Sequence, residues 1–169
     1  QGVSSAASDV YKRQVAELCE FFEDIGWTVR WKVRRSNNIW VGKEATGKLS
    51  GYYSVNLNRK RLLVHRILYK MRTGEEPEQI DHIDGNKTNN YQENLRPATN
   101  SENGRNRGLQ KNSTSGFKGV IACRRSGKWR VKIMLNGKHI YGGLYDRPED
   151  ANLEAIQLRK QFHGDFAHD

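Results

Sequence analysis

Residues 79–108 read QIDHIDGNKTNNYQENLRPATNSENGRNRG. The first five of these residues favour a short extended strand, and residues 84–86, Asp-Gly-Asn, are a strong turn signal. Residues 94–96 can pair back on the first strand, and Pro97 ends that pairing. The stretch therefore predicts a strand, a loop and a second strand.

A helix is predicted directly after the second strand. Thr99 and Glu102 have the spacing of a capping box, in which each side chain bonds the backbone N–H of the other residue. The helix that begins there carries Asn103 in about its first turn. Strand, loop, strand and helix together predict an α+β fold for this part of the chain.

The same stretch offers the residue types that hydrolysis of a phosphodiester requires. An unperturbed histidine titrates at about pH 6.5, so His82 can take a proton from water at neutral pH. Asp81 and Asn103 supply hard oxygen ligands, which suit Mg²⁺ or Mn²⁺ better than zinc. A His-Ile-Asp-Gly-Asn turn alone often forms only a β-turn. The wider spacing, with Asn94 twelve residues after His82, is more specific.

In this spacing the stretch resembles the HNH nucleases, in particular the phage and homing-endonuclease members that use Asn as the third residue of the motif. The resemblance implies the β-β-α metal fold, with Asp81 and Asn103 on one cation and His82 facing the substrate as the catalytic general base. It also implies that Asn94 is a catalytic residue whose amide braces the loop and helps to orient the histidine. The cation in this family lies beside the scissile phosphate and stabilises the departing 3′ oxygen.

Positive charge is concentrated on both sides of the motif. The chain has a formal net charge of +10, and no acidic residue occurs in residues 45–74 or 103–145. Two acid-free stretches beside a base and a cation site favour double-stranded DNA as the partner over a merely solvated basic face. His65 is predicted to be structural or to contact phosphate. Three arginines in and before the motif are predicted to contact DNA: Arg66, Arg96 and Arg105.

Composition argues against several other classes of protein. Only 36% of the residues are hydrophobic, and no apolar run approaches the ~20 residues of a membrane helix. The start of the sequence lacks the layout of a signal peptide. Cys19 and Cys123 stand alone, so we expect neither a disulfide framework nor a structural zinc. These features predict an intracellular protein, in the cytoplasm and nucleoid or in a phage-infected host, with no membrane association and no indicated protein partner.

Four segments are predicted along the chain. Residues 1–14 resemble translated adapter sequence, or else an ordinary polar disordered tail, and carry no predicted function. Residues 15–108 form the predicted nuclease module, whose core motif is the stretch 79–108. Residues 109–116 are a polar linker, and residues 117–169 form a second small domain.

Three elements are predicted ahead of the motif. The apolar spacing of residues 15–25 indicates a short helix that Gly26 ends. Residues 53–57 alternate strictly between apolar and polar side chains, which predicts a strand, and residues 58–60 form a turn. Residues 62–71 predict a second helix with one apolar side.

The second domain begins with a predicted hairpin. Residues 129–135 alternate between apolar side chains and basic or polar ones, which is typical of a strand with one buried face. Asn136-Gly137 is the strongest short hairpin signal. A two-residue loop there gives three predicted cross-strand pairs: Met134 with His139, Ile133 with Ile140 and Lys132 with Tyr141.

A helix follows this hairpin. Residues 146–149 open it, and Gly164 closes it. Its predicted apolar stripe contains Ala151, Ala155, Leu158 and Phe162. The second domain is therefore predicted to be a small three-stranded antiparallel sheet packed on one helix.

This domain resembles the plant Apetala/ethylene-response-factor (AP2/ERF) DNA-binding domain over most of its length. The matching segments are residues 116–120, 127–129, 143–146, 149–151 and 163–167. The resemblance implies that the sheet lies in the major groove. Ile121 and Met134 stand where plant members carry arginines, so the plant target sequence is not expected. Trp129 is predicted to pack in the core. The residues implied in DNA contact are Lys118, Arg125, Arg130, Lys132, His139 and Tyr141.

The sequence thus predicts a metal-dependent, site-specific DNA endonuclease that resembles the HNH homing endonucleases of phages and mobile elements. An alternative is a DNA-binding transcriptional regulator whose nuclease module is inactive. The motif argues against it, because a protein that only binds DNA does not need Asp81, His82, Asn94 and Asn103 together. An RNA-directed nuclease has no positive signal such as an RRM-like aromatic motif.

Overall fold

The computed structural model describes the backbone of residues 5–110 and 112–167, and the side chains of residues 13–110 and 112–167. The chain divides into two compact units, Gln1–Pro97 and Ala98–Asp169. Both units combine helices with small antiparallel sheets, in agreement with the predicted α+β class. No helix within the described residues is both long and apolar enough to cross a membrane.

The first unit starts with a helix, and its described strands form three small sheets, β1-β2, β3-β4-β5 and β6-β7. Its elements are α1 (Ser5–Phe21), β1 (Phe22–Asp24), β2 (Val29–Trp31), β3 (Lys48–Leu49), β4 (Tyr52–Leu57), β5 (Lys60–Leu63), α2 (Val64–Thr73), β6 (Gln79–His82), a 3₁₀ turn (Gln92–Asn94) and β7 (Leu95–Ala98).

The start of the chain differs from its prediction at both ends of the first helix. Helix α1 begins at Ser5, so it includes much of the segment 1–14 that was predicted to be a non-native or disordered tail. It ends at Phe21 rather than near Gly26. Phe22 instead starts strand β1 and pairs with Trp31, with the two ring centroids 4.6 Å apart. Both side chains are buried, so tertiary packing outweighs the helical apolar spacing here.

The predicted strand and helix before the motif are present. Strand β4 pairs with β5 through a two-residue turn in which Asn58 and Arg59 have positive φ angles of 49° and 62°. Helix α2 starts two residues later than predicted because Leu62 and Leu63 belong to β5. The helix packs its apolar side into the core of the unit. That core contains Phe22, Val29, Trp31, Ala45, Val55, Leu57, Val64, Ile67 and Leu68.

In the described part of the second unit, one α-helix precedes a three-stranded sheet and one follows it. Its elements are α3 (Asn100–Arg105), β8 (Val120–Cys123), β9 (Lys128–Leu135), β10 (Lys138–Tyr145), α4 (Pro148–His163) and a 3₁₀ turn (Gly164–Phe166). The strands lie in the order β10-β9-β8 and are antiparallel. Helix α4 packs against this sheet around Val120, Val131, Ala151 and Ala155.

The predicted hairpin register is confirmed. Met134 lies opposite His139, Ile133 opposite Ile140, and Lys132 opposite Tyr141. A register shift between Tyr141 and Gly143 was not predicted. It brings Gly142 under α4, where a Cβ atom would stand only 2.7 Å from a methyl carbon of Leu158, so this position requires the close approach that glycine allows.

The buried stripe of α4 differs from its prediction in the second half of the helix. Ala151 and Ala155 are buried as predicted, but the stripe continues through Arg159 and His163, while Leu158 and Phe162 are half-buried. Each of these two polar side chains makes a hydrogen bond to a backbone carbonyl. Arg159 Nη1 donates to the carbonyl of Lys118 over 2.6 Å, and His163 Nε2 lies 3.0 Å from the carbonyl of Met134.

The division between the two units falls earlier than the predicted boundary after residue 108. Helix α3 belongs to the second unit. Within that unit, Lys118 Nζ donates to the carbonyl of Arg105 over 2.8 Å, and Arg105 Nη2 donates to Asn136 Oδ1 over 2.8 Å. The residues of the HNH-like motif are therefore divided between the two units. Asp81, His82 and Asn94 belong to the first unit, and Asn103 belongs to the second.

Candidate active site

The candidate base and the candidate cation ligand lie side by side at the end of strand β6. Asp81 and His82 are both about 95% buried, with exposed fractions of 4% and 5%. Arg96, on the paired strand β7, donates to Asp81 Oδ2 from Nε over 2.9 Å and from Nη2 over 2.7 Å. The arginine therefore compensates the charge of a buried carboxylate. Its predicted contact with DNA stays a prediction.

A fully buried amide determines the tautomer of His82. Asn90 Nδ2 donates to the carbonyl of Trp27 over 2.9 Å, which turns Asn90 Oδ1 toward His82 Nε2 at 3.0 Å. Because an amide oxygen only accepts hydrogen bonds, Nε2 must carry the proton. Nδ1 is then the ring nitrogen with the basic lone pair, which is the state that a general base needs.

The loop segment that carries Asn90 is tied to the rest of the first unit by Arg72. Arg72 Nη1 donates to the carbonyl of Asn90 over 2.9 Å, and Nε donates to Asp24 Oδ2 over 2.7 Å. Partial burial would raise the pKa of Asp24, but the hydrogen bonds from Arg72 and the Gly26 N–H outweigh it and lower that pKa. The carboxylate stays charged and holds the arginine in place.

A second histidine packs against the candidate base. The His65 ring lies 5.1 Å from the His82 ring, centroid to centroid, and 5.1 Å from the Tyr52 ring. Burial, followed by the charges of His82 and Arg66, lowers the pKa of His65 to about 3. His65 is therefore neutral near pH 7 and serves as a packing partner rather than a second base.

Asn94 joins the two sides of the motif loop. Its Nδ2 donates to Asp84 Oδ1 over 2.9 Å and to the carbonyl of Asn89 over 2.7 Å, while its Oδ1 accepts from the Asp84 N–H over 3.0 Å. Burial would raise the pKa of Asp84, but hydrogen bonds from Asn89, Asn94 and the Asn86 N–H lower it. This geometry is what a loop-bracing amide requires, and the catalytic role of Asn94 remains a prediction.

The remaining predicted residues of the first part have other contacts. Arg66 donates to the carbonyls of Pro77 and Glu78 and pairs with Glu76 at 3.7 Å, so it ties α2 to the segment that leads into β6. The predicted contact of Arg66 with DNA remains a prediction.

Asn103 lies in helix α3, whose predicted capping box is confirmed. Thr99 Oγ1 accepts from the Glu102 N–H over 3.2 Å, and Glu102 Oε2 accepts from the Thr99 N–H over 2.8 Å. No group of three or more His, Cys, Asp or Glu side chains among the described residues could hold a metal ion. Shared ligation of a cation by Asp81 and Asn103 remains a prediction.

The sheet of the second unit presents one face away from α4, which we call the outer face. Cross-strand pairing places on it Ile121, Arg130, Lys132, Met134, His139, Tyr141 and Leu144. Four of these are large hydrophobic residues with exposed fractions between 43% and 58%, and they surround Arg130 and Lys132. Arg125 is exposed in the turn between β8 and β9. Lys118, in contrast, donates to the backbone of Arg105.

The sequence did not reveal the residues that hold His82 and its neighbouring loop in place. Asn90 and Arg72 have no motif spacing of their own, and Asn90 reads as one more turn-forming residue in an Asn-rich loop. Arg159 had a usable signal, because it stands four residues after Ala155 on the buried side of α4. A charged side chain was not expected in an apolar stripe.

Comparisons with known proteins place the sequence in a family. The HNH endonuclease family model matches residues 62–105. Protein 3.8 of Escherichia phage T7 is 38% identical over 93 residues, which cover 52% of this chain and 72% of the phage protein. An uncharacterized HNH endonuclease, L560, of Acanthamoeba polyphaga mimivirus is 30% identical over 142 residues, which cover 82% of this chain and 69% of the viral protein. No solved structure matches. The motif, the family match and these relatives together show that the chain belongs to the HNH endonuclease family.

Proposed function

We propose that this chain is a metal-dependent, site-specific DNA endonuclease in which His82 is the general base. The observation that carries the proposal is the hydrogen bond between His82 Nε2 and Asn90 Oδ1, because it leaves Nδ1 as the basic nitrogen. His82 takes the proton of the attacking water at Nδ1. Asn90 is a positioning residue that holds the ring, and Asn94 keeps the loop 84–94 closed around it.

The donor set fits a hard divalent cation. Asp81 offers a carboxylate, and Asn103 offers an amide oxygen, and both suit Mg²⁺ or Mn²⁺ better than zinc. When bound, the ion supplies Lewis-acid stabilisation of the departing 3′ oxygen. Arg96 compensates the charge of Asp81 before a cation binds, so cation binding has to compete with this ion pair.

The outer face of the second unit is the proposed DNA-binding surface, in the manner of an AP2/ERF-like domain. Its two central cations, Arg130 and Lys132, are bordered by exposed apolar side chains, and the chain as a whole carries a net charge of +10. Phosphates attract the cations, and apolar side chains can contact thymine methyl groups in the major groove.

A salt titration tests this face. Replacing Arg130 and Lys132 together by Ala should lower DNA affinity. The log–log salt slope should become shallower by about 0.9 for each lost phosphate contact. If the two residues read bases instead, the slope should change less and preference at one position should relax. Unchanged affinity and unchanged slope would show that the outer face does not contact DNA.

Cleavage of supercoiled plasmid tests the activity itself. Purified protein should convert the plasmid to nicked or linear product with Mg²⁺ or Mn²⁺ and leave it intact with EDTA. Nicked product indicates that one strand is cut, and linear product indicates that both are. DNA binding without cleavage under any of these conditions would instead favour a DNA-binding regulator with an inactive nuclease module.

A further inference from the structure

The second unit contains a cleft of about 440 Å³ that the motif does not explain. Helix α3, strand β9 and helix α4 form its walls. Five of its lining residues are arginines or lysines, and none of the residues that line it in the described part of the chain is acidic. The basic and imidazole side chains that line it are Arg105, Arg107, Lys118, Lys132, Arg159 and His163.

Among the described residues that line the cleft, none is an anionic partner for Arg105. Its Nη2 donates to two neutral oxygens, Asn136 Oδ1 at 2.8 Å and Ser101 Oγ at 3.4 Å. Its Nε is buried and has no hydrogen-bond partner among the described residues. A guanidinium with an unsatisfied N–H is costly unless an acceptor arrives, and an anion is the acceptor that it binds most strongly.

His163 is a second buried group with an unused polar atom at this cleft. It is 92% buried, and its Nε2 carries the proton because it faces the Met134 carbonyl at 3.0 Å. Nδ1 has no hydrogen-bond partner within the described residues. Burial lowers the pKa of His163, and the charges of Arg105, Lys118 and Arg159 lower it further, while the Met134 bond raises it. Nδ1 therefore carries a lone pair and accepts hydrogen bonds, so the arginine and lysine side chains, and not His163, provide the donors for an anion.

We propose that this cleft binds a phosphate group of the nucleic-acid backbone. The inference rests on the proposed function, because DNA is the substrate considered there. Lys132 and Met134 line the cleft, and their strand β9 also carries the outer face, so the cleft adjoins the strand proposed to contact DNA. The opposite wall is α3, the helix that carries Asn103. A DNA strand held in the cleft would therefore contact α3, the helix that also carries the candidate cation ligand Asn103.

Binding of a labelled DNA duplex in EDTA tests the proposal without any cleavage. The variants are Arg107→Gln, whose side chain is exposed, and the double variant Arg105→Gln with Arg107→Gln. Lys160→Gln, an exposed charge of α4 outside the cleft, is the matched control. We expect the double variant to bind about tenfold more weakly, with a log–log salt slope that is shallower by about 0.9. The control should match the wild type.

Two further arms separate the possible failures. Inorganic phosphate, followed by thermal unfolding, shows whether the cleft takes a free anion. If phosphate stabilises the wild type but not Arg107→Gln, while DNA affinity stays unchanged in every cleft variant, the nucleic-acid assignment is overturned. Equal affinity and slope in the folded Arg107→Gln variant and the control also overturn it. A wild type that binds through the cleft but never cleaves plasmid refutes only the proposed nuclease activity.

Discussion

At the scale of single residues, Asn90 is the side chain on which the account of His82 depends. It is fully buried, accepts from the imidazole and donates to the carbonyl of Trp27. The histidine could be predicted from its motif, because a base, hard oxygen ligands and their spacing appear in the chain itself. The buried amide could not, because its role arises only when the loop folds back over β6.

Replacing Asn90 by Ala should lower kcat by about 10- to 100-fold and leave KM and DNA affinity unchanged. The reason is that the imidazole loses the acceptor that fixes its tautomer. The matched control is Thr28→Ala, which removes another buried hydrogen bond of the first unit, to the carbonyl of Ala45 over 2.8 Å, without touching His82. Thr28→Ala should lower stability with little effect on kcat. Equal losses of kcat in both variants would mean that Asn90 has only a structural role.

His65 predicts a specific pH dependence of stability. Its pKa is about 3 in the folded chain and about 6.5 when unfolded, so the unfolded state binds more protons between these values. Stability should therefore fall as pH decreases from about 6.5 toward 3, by up to about 1.4 kcal/mol per pH unit from this group.

Urea unfolding of wild type and His65→Phe between pH 7 and pH 4 measures this contribution. Asp24, Glu76 and Asp84, whose pKa values are lowered, destabilise both proteins in acid in the same direction, so the difference between the two curves is the readout. Parallel curves would mean that the pKa of His65 is the same in the folded and the unfolded chain.

At the scale of elements, the sequence predicts structure well where local signals and packing agree. The β9–β10 register follows from strict alternation and an Asn-Gly turn, and the capping box follows from Thr99 and Glu102. The predictions that differ from the structure concern residues whose conformation or burial depends on contacts distant in the sequence. Phe22 leaves a helical pattern to pair with Trp31, and Arg159 is buried because the Lys118 carbonyl accepts its hydrogen bond.

Helix α3 is only six residues long, so its cap should matter for the residue that it carries. Thr99→Ala should destabilise the helix by about 1 kcal/mol, since it removes the acceptor for the Glu102 N–H. If Asn103 is a cation ligand, the Mg²⁺ concentration for half-maximal cleavage should also rise. Thr99→Ser, which keeps the cap, is the control. An unchanged Mg²⁺ requirement in a destabilised Thr99→Ala variant would count against the role of Asn103.

At the scale of the whole molecule, the motif is divided between two compact units. The division could not be predicted from the polar linker at residues 109–116. Two hydrogen bonds of α3 within the second unit, Lys118 to the Arg105 carbonyl and Arg105 to Asn136, join residues that are separated in the sequence. A cut in the linker would separate α3 from the rest of the second unit, so point variants in the full chain are the better tests of the proposed roles.

The most direct test of the account compares cleavage and binding in His82→Ala. Supercoiled plasmid with Mg²⁺ gives the cleavage rate, and a labelled duplex in EDTA gives the Kd. We expect the rate to fall by about 100-fold or more while the Kd stays at the wild-type value, because the role proposed for His82 is to activate water and not to bind DNA. Cleavage within about tenfold of the wild-type rate, in a variant that is shown to be folded, would contradict the assignment of His82 as the base.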